Sequence, residues 1–264
     1  DHKWSDSLYV ANKKNNLKNY MKNKTILISG GVTGIGSATA LRFLENGWNV
    51  SVFSNVKEHG QEFTKLANAQ GLVARLLVLN ADITKEKDLK IVVAETKKKF
   101  KSIDVLFNNA GVGYFEEADK MDMKKFDQMM EVNVIGMAGL TKLVLPIMKK
   151  QKSGQIINNA STAGKVGHAK SEFYAATKSA VMRYSEGLRA EVAKFGIKVS
   201  VIYTSTVKTG FWTKKEFARR KKENWHGKDP VFLTTQDLAN TVEFVVNQPD
   251  NCVIEDITIM PFGR

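Results

Sequence analysis

The sequence is poor in residues that cross-link a chain or bind a structural metal. Cys252 is the single cysteine among 264 residues, which excludes an intrachain disulfide. Histidine is also scarce, and no Cys/His cluster has the spacing of zinc ligands. The four histidines are far apart in the chain: His2, His59, His168 and His226. We therefore expect no metal site.

Long apolar runs are also missing. A membrane-spanning helix needs about 18 or more consecutive apolar residues, and the nearest candidate, residues 134–148, is interrupted by Lys142. Residues 1–24 are rich in Lys and Asn and contain no apolar stretch, so they do not resemble a secretory signal. We expect no membrane span, a cytoplasmic location and a flexible tail over residues 1–20.

Positive charge is abundant but unevenly placed. The formal net charge is +13, and the two most basic segments are residues 1–24 and 211–228. Elsewhere scattered lysines on solvated helix faces account for the charge. A DNA-binding face needs basic side chains on a folded element that can reach base edges. We therefore expect no nucleic-acid partner.

The hydrophobic pattern predicts an α/β protein. A hydrophobic content of 43% excludes a disordered chain, and short β-branched runs alternate with longer amphipathic stretches, as in βαβ units. We predict one domain over residues 21–264, a doubly wound parallel sheet of about seven strands with helices on both faces. The predicted strands are residues 25–29, 49–53, 73–79, 105–107, 155–160, 198–203 and 256–259. The first predicted helix runs from just after residue 36 to about residue 46. The other predicted helices are residues 61–70, 85–99, 124–130, 134–150, 173–194 and 235–247. The helix at 134–150 is expected to kink or end near Pro146.

A glycine-rich segment follows the first predicted strand. Residues 29–36 are Ser-Gly-Gly-Val-Thr-Gly-Ile-Gly and open a predicted helix. Glycine permits positive φ, and a helix N-terminus offers free N–H groups to a phosphate. The spacing differs from the G-x-G-x-x-G fingerprint. Either a phosphate-binding turn or a tight turn without a ligand fits this segment.

Three residues near the fifth predicted strand suggest proton transfer. Tyr174 and Lys178 are four residues apart on a predicted helix, so their side chains project from one face. Ser161 directly follows the strand, where ligands of parallel sheets bind. A nearby cation favours the phenolate of a tyrosine, whose pKa is otherwise about 10. Alone, the Tyr–Lys spacing also fits an ordinary helix-surface pair.

Together these segments resemble a known family. The order of the glycine-rich loop, Asn-Asn-Ala-Gly at 108–111, Ser161 and Tyr174-x-x-x-Lys178 resembles the short-chain dehydrogenase/reductase family over residues 22–264. The resemblance implies a Rossmann-type fold and an NAD(P)-dependent oxidoreductase. Such an enzyme interconverts a carbonyl and a secondary alcohol by hydride transfer.

The resemblance also implies roles for individual residues. Tyr174 would be the acid and base, Ser161 would hydrogen-bond the substrate oxygen, and Lys178 would bind the nicotinamide ribose. Asn133 would help to hold a water in the proton relay, and Thr162 is the nearest rival to Ser161. The implied cofactor-binding residues are Gly30, Thr33, Gly34, Ile35, Gly36, Ser54, Asn55, Lys57, Asp82, Ile83, Asn109, Ala110, Gly111, Tyr174, Lys178, Val207 and Thr209.

The end of the second predicted strand bears on the choice of coenzyme. An acidic residue there selects NAD, whereas a nearby Arg accommodates the 2′-phosphate of NADP. Residues 53–57 are Phe-Ser-Asn-Val-Lys, with no carboxylate to repel a phosphate and with donors at Ser54, Asn55 and Lys57. We expect NADP(H) to be favoured over NAD(H), although Ser-Asn is also ordinary turn chemistry.

One departure from the family pattern follows the sixth predicted strand. Thr204-Ser205 stands where the family commonly has Pro-Gly, so the loop around the nicotinamide is expected to run differently. This departure is the only support for a different class, a regulatory nucleotide-binding protein without turnover.

Residues 210–228 would form the family's variable helical lid over a small-molecule substrate. Their basic residues would suit an acidic carrier partner, so a 3-oxoacyl-(acyl-carrier-protein) reductase is the alternative function.

By family analogy, helices containing residues 133–150 and 173–194 pack between subunits of a homodimer or homotetramer. Aromatic side chains predict a pocket for a bulky or hydrophobic carbonyl compound: Tyr114, Phe115, Phe211, Trp212, Phe217 and Trp225.

Overall fold

The strands confirm the predicted doubly wound sheet. The computed structural model describes residues 23–212, 218 and 232–262. In this part of the chain seven parallel strands are arranged in the order β3-β2-β1-β4-β5-β6-β7. The strands are β1 (Thr25–Ser29), β2 (Asn49–Ser54), β3 (Leu76–Asn80), β4 (Val105–Asn108), β5 (Gly154–Asn159), β6 (Ile197–Thr204) and β7 (Asp256–Ile259). The expected tail and nearly all of the expected lid lie outside the described residues.

Helices connect the strands. They are α1 (Gly34–Glu45), α2 (Lys57–Ala69), α3 (Glu86–Phe100), α4 (Met123–Met130), α5 (Met137–Gln151), α6 (Glu172–Val192) and α7 (Thr235–Val246). A capping box between Thr234 and Asp237 begins α7. The described residues form one domain with a single sheet, as predicted.

Alternation along the central strands places the core on both faces of the sheet. Ile26 and Ile28 of β1 pack with α1, α2 and α7, whereas Leu27 packs with α3, α5 and α6. Successive residues of a strand point to opposite faces, so a strand covered on both sides is buried at every position and mostly apolar. All five residues of β1 are buried, as this arrangement requires.

The third strand begins later than predicted. Residues Val73–Arg75 form a turn of 3₁₀ helix, and β3 starts at Leu76. Pairing with β2 explains the difference, because Leu76 pairs with Val50 at the start of that strand. In this register residues 73 and 74 precede the start of β2 and have no neighbouring strand to pair with.

The prediction that a helix kinks or ends near Pro146 was wrong about the end. Helix α5 continues to Gln151, five residues beyond the proline. Leu140, Val144 and Met148 of α5 are fully buried in the core, and tertiary packing of this kind outweighs local helix propensity.

A π-helical turn, Glu131–Gly136, joins α4 to α5. The continuous stretch Met123–Gln151 is long and apolar enough to cross a membrane by length and composition alone. Helices in the core of globular proteins meet the same criterion, and α5 packs on the sheet with α3 and α6. This observation is therefore weak evidence for a membrane span.

Candidate active site

A cleft of about 700 Å³ opens at the carboxyl ends of the strands. Strands β1 and β4 are neighbours, and the helices that follow them cover opposite faces of the sheet. Such a switch point leaves a crevice for ligands. The structure brings twelve of the predicted site residues into the lining of this cleft: Gly30, Thr33, Gly34, Ile35, Asn109, Ala110, Gly111, Ser161, Tyr174, Lys178, Val207 and Thr209.

The glycine-rich loop directs the start of α1 into the cleft. Gly30 and Gly34 have φ values of 61° and 54°, in the left-handed region that favours glycine. Thr33 precedes α1 without a side-chain capping hydrogen bond. The first N–H groups of the helix are therefore available to an anion. This arrangement fits the diphosphate of a dinucleotide.

Polar side chains tie the glycine-rich loop to the ends of β4 and β5. The Ser29 hydroxyl accepts hydrogen bonds from the backbone N–H groups of Asn109 and Ala110, both at 3.0 Å. The Asn109 amide donates to the Gly30 carbonyl at 3.1 Å and accepts from Asn159 Nδ2 at 3.1 Å. These bonds fix the floor of the cleft.

Lys178 and Tyr174 lie side by side in the cleft. Lys178 is 5% exposed, and its Nζ donates to the Asn159 carbonyl at 2.9 Å and lies 5.7 Å from the centroid of the Tyr174 ring. Burial lowers the pKa of Lys178 from its ordinary value to about 8. The ammonium is therefore held among few other polar groups, close to a phenol.

Ser161 lies in the same cleft at the end of β5. Its Oγ accepts a hydrogen bond from the Ala163 N–H at 3.2 Å, which begins the short turn Thr162–Gly164. This bond uses the oxygen of Ser161 as an acceptor, and its O–H can still donate to a ligand. Thr162 also lines the cleft, so the lining does not separate the two hydroxyls.

Asn133 lies behind the cleft, in the π-helical turn. Its Oδ1 accepts from the Val112 N–H at 2.8 Å, and its Nδ2 donates to the Val112 carbonyl and to Thr177 Oγ1. Thr177 in turn donates to the Tyr174 carbonyl at 2.8 Å. The side chain of Asn133 therefore connects the segment after Gly111 to the turn of α6 that carries Tyr174.

Several predicted cofactor residues do not line the cleft. One of them, Asp82, accepts hydrogen bonds from both the N–H and the hydroxyl of Thr84. The Val56 N–H donates to Ser54 Oγ at 3.2 Å in the turn after β2. The residues concerned are Gly36, Ser54, Asn55, Lys57, Asp82 and Ile83.

Several residues that were not predicted as site residues also line the cleft, among them His59 and Asn159. Asn159 is the last residue of β5, so the position of ligands at carboxyl ends of strands could have identified it. His59 lies in the first turn of α2, and no local pattern in the sequence marks it.

The loop with Thr204-Ser205 in place of Pro-Gly lines the cleft. A backbone bridge pairs Val207 with Leu233, with hydrogen bonds of 2.9 Å from Lys208 N–H to Leu233 and 3.1 Å from Leu233 N–H to Thr206. Ser205 N–H also donates to the carbonyl of Ile259. Backbone pairing thus holds the loop without the Pro-Gly pair.

Three of the predicted aromatic residues, Phe115, Phe211 and Trp212, line the cleft. The prediction for Tyr114 was wrong: it is absent from the lining, and its hydroxyl donates to Gln128 of α4 at 2.8 Å. This bond directs the Tyr114 side chain towards α4. Phe217 and Trp225 lie outside the described residues. His168 lines the cleft.

A doubly wound parallel sheet with a glycine-rich loop at its switch point defines a dinucleotide-binding class of protein. The family model described as short chain dehydrogenase matches residues 24–220. The chain belongs to the short-chain dehydrogenase family, which confirms the resemblance seen in the sequence. The chain accordingly has the fold of an oxidoreductase family, and this fold binds a nicotinamide cofactor.

Similar proteins cover nearly the whole chain. An uncharacterised oxidoreductase of Staphylococcus saprophyticus is 30% identical over 91% of this chain and 98% of its own length. An NADP-dependent 3-hydroxy acid dehydrogenase of Schizosaccharomyces pombe is also 30% identical, over 91% of this chain and 93% of its own length. The closed form of serine dehydrogenase with NADP⁺ has a TM-score of 0.81 at 27% identity, covering 91% and 96%. A 3-ketoacyl-(acyl-carrier-protein) reductase from Brucella melitensis with NADH has a TM-score of 0.79 at 27% identity, covering 90% and 98%.

Proposed function

We propose that the protein interconverts a carbonyl compound and a secondary alcohol, with NADP(H) favoured over NAD(H). The observation that carries this proposal is that Ser161, Tyr174 and Lys178 share one cleft with the glycine-rich loop. A proton donor, a hydrogen-bond donor and a site for a diphosphate are thus combined at one end of the sheet. The reaction needs each of these groups.

Proton transfer is assigned to Tyr174. In reduction its hydroxyl donates a proton to the carbonyl oxygen, and in oxidation its phenolate takes the proton from the alcohol. The nearby Lys178 ammonium favours the phenolate and is placed to bind ribose hydroxyls. A bound nicotinamide would supply or accept the hydride.

Two further residues assist this step. Ser161 donates a hydrogen bond to the substrate oxygen and stabilises the negative charge that develops there. Asn133 keeps Tyr174 in position through Thr177. By analogy with the family, Asn133 also helps to hold a water molecule in the proton relay. Asp82 and Ile83 lie at the proposed adenine end, after β3.

The preference for NADP(H) rests on the turn after β2. Ser54, Asn55 and Lys57 can donate to a 2′-phosphate, and the turn 53–57 contains no carboxylate to repel one. An NADP-dependent relative and a neighbour with bound NADP⁺ support this choice. The neighbour with NADH shows that related proteins also use the other coenzyme.

Parallel titrations of NADPH and NADH, followed by nicotinamide fluorescence, test the proposal. We expect NADPH to bind about tenfold more tightly, because a charged hydrogen bond contributes about 1.5–3 kcal/mol. Lys57→Glu should weaken NADPH and leave NADH nearly unchanged. Lys65→Glu, at an exposed position of the same helix, is the control. A preference for NADH would refute the coenzyme choice, and binding of neither would refute the enzymatic function.

Self-association is part of the proposal. A groove of about 520 Å³ lies between α5 and α6, with Leu145, Pro146 and Leu188 in its lining. Gly187 in the same groove is exposed, and a side chain placed there would meet nothing within 4 Å. A helix of a second copy can therefore approach closely, as expected for a homodimer or homotetramer.

The carrier-protein alternative relies on basic residues 214–222, which lie outside the described residues.

A further inference from the structure

Aromatic rings surround the proposed proton donor. The Phe115 ring centroid lies 5.2 Å from that of Tyr174 and 5.0 Å from that of Trp212, with which it is stacked. Phe211 lies 6.0 Å from Tyr174 and 5.1 Å from Trp212. A substrate oxygen that reaches the Tyr174 hydroxyl therefore brings its substituents against these rings. We call Phe115, Phe211 and Trp212 the aromatic wall.

The aromatic wall is held in place by contacts outside the rings. Trp212 Nε1 donates to the Val207 carbonyl at 3.2 Å, and the Phe211 N–H donates to Thr209 Oγ1 at 3.3 Å. Gly113 allows Phe211 to approach the chain, because a Cβ there would lie 2.6 Å from the end of the Phe211 ring. The wall is therefore arranged before a substrate binds, which lowers the entropic cost of recognition.

Charged groups are scarce in the same lining. Among the described residues that line the cleft, Lys178 is the one Lys, Arg, Asp or Glu, and its ammonium donates to the Asn159 carbonyl and is assigned to the coenzyme ribose. A carboxylate near the reacting carbon would lose water, and the described lining offers no Arg and no second Lys to compensate for that loss. Serine and 3-hydroxy acids, the substrates named for two similar proteins, carry a carboxylate one carbon removed from the carbon that bears the hydroxyl.

We propose that the substrate is an uncharged ketone, or the matching secondary alcohol, with an aromatic ring next to the reacting carbon. This inference rests on the proposed function and specifies its substrate class. Aromatic rings prefer offset or edge-to-face contacts with other rings, and three such partners are in place beside Tyr174. An aryl substituent is therefore recognised beyond its apolar area, whereas a saturated ring of the same size is recognised by area alone.

Two ketones of almost equal size test the inference, acetophenone and cyclohexyl methyl ketone. We expect kcat/KM for acetophenone with NADPH to be about tenfold higher. Phe115→Leu should reduce this ratio to about two or less while both ketones remain substrates. Phe126→Leu is the matched control, because the Phe126–Phe173 pair has a ring distance of 5.0 Å but does not line the cleft. The control should keep the ratio of the wild type.

A binding experiment separates failure of the inference from failure of the proposed function. In the Tyr174→Phe variant with bound NADPH, quenching of nicotinamide fluorescence gives the Kd of each ketone without turnover. Binding of acetophenone about tenfold more tightly than cyclohexyl methyl ketone supports the inference, whether or not the wild type reduces either ketone. Failure of the wild type to reduce both ketones would count against the proposed reaction alone. Equal binding of the two ketones would overturn the inference. Faster turnover of 3-oxobutanoate or of a 3-oxoacyl thioester than of acetophenone would overturn it as well.

Discussion

At the residue scale, Lys178 combines a buried position with a positive charge. The side chain is 5% exposed, and burial lowers its pKa to about 8. In the unfolded chain a lysine has a pKa of about 10.4. Between these two values the unfolded chain binds more protons than the folded one, so stability has to rise with pH in this window.

The substitution Lys178→Met tests this linkage in the protein without coenzyme. Below pH 8 the folded protein carries the full cost of the buried cation, and this cost decreases as the pH rises towards the unfolded pKa. Relative to the variant, the free energy of unfolding of the wild type should increase by about 2 kcal/mol between pH 7 and pH 9.5. Urea unfolding at several pH values measures it. Parallel pH profiles for the two proteins would contradict the lowered pKa.

The role of Tyr174 gives a second prediction at the residue scale. Tyr174→Phe keeps the ring and removes the proton, so coenzyme binding should stay intact while kcat falls at least about 100-fold, as expected for loss of a general acid. Single-turnover and fluorescence measurements separate the two effects. Tyr114→Phe, whose hydroxyl contacts Gln128 outside the cleft, should change neither. Activity of Tyr174→Phe within tenfold of the wild type would refute its role.

At the element scale, the start of α1 depends on close approach of two backbone segments. A Cβ at Gly36 would lie 2.2 Å from the Gly30 carbonyl oxygen, and this atom cannot move without displacing the loop. The helix N-terminus and the loop are therefore positioned by a residue that does not itself line the cleft. Helix α1 is held from the other side by Glu243 of α7, which bonds Arg42 at 2.7 Å.

Gly36→Ala is the corresponding prediction. We expect it to lower the free energy of unfolding by about 2 kcal/mol, as overpacking usually does, and to weaken NADPH binding at least tenfold. Gly139→Ala in α5 is the control, since its Cβ would meet Leu89 at an ordinary 3.5 Å, and alanine there should be neutral or stabilising by up to about 1 kcal/mol. Unchanged NADPH affinity in Gly36→Ala would contradict the role of the loop.

At the scale of the whole molecule, the groove between α5 and α6 is the proposed contact between copies. Gly187→Arg places a long cation where the isolated chain has open space, so folding should be unaffected while association is blocked. Analytical ultracentrifugation should show a smaller particle for this variant. Asn68→Arg, at an exposed position of α2, is the control with the same change in charge. An assembly of unchanged size in Gly187→Arg would exclude this groove as the interface.

The sequence by itself determined the class of fold and its family. Apolar strands such as Thr25–Ser29 alternate with amphipathic helices, and this periodicity is a local property that survives any error in exact boundaries. The glycine-rich loop and the Tyr174–Lys178 spacing are also local. They predicted two parts of the cleft lining, which meet because parallel strands bring their carboxyl ends to one edge.

Other features were decided by the tertiary structure. The start of β3 depends on where β2 offers a partner, and α5 continues past Pro146 because its apolar face is buried in the core. His59 reaches the cleft because of where α2 packs, and the Tyr114 side chain is directed towards α4 by its bond to Gln128. Such features depend on neighbours distant in sequence, and local periodicity contains no information about those neighbours.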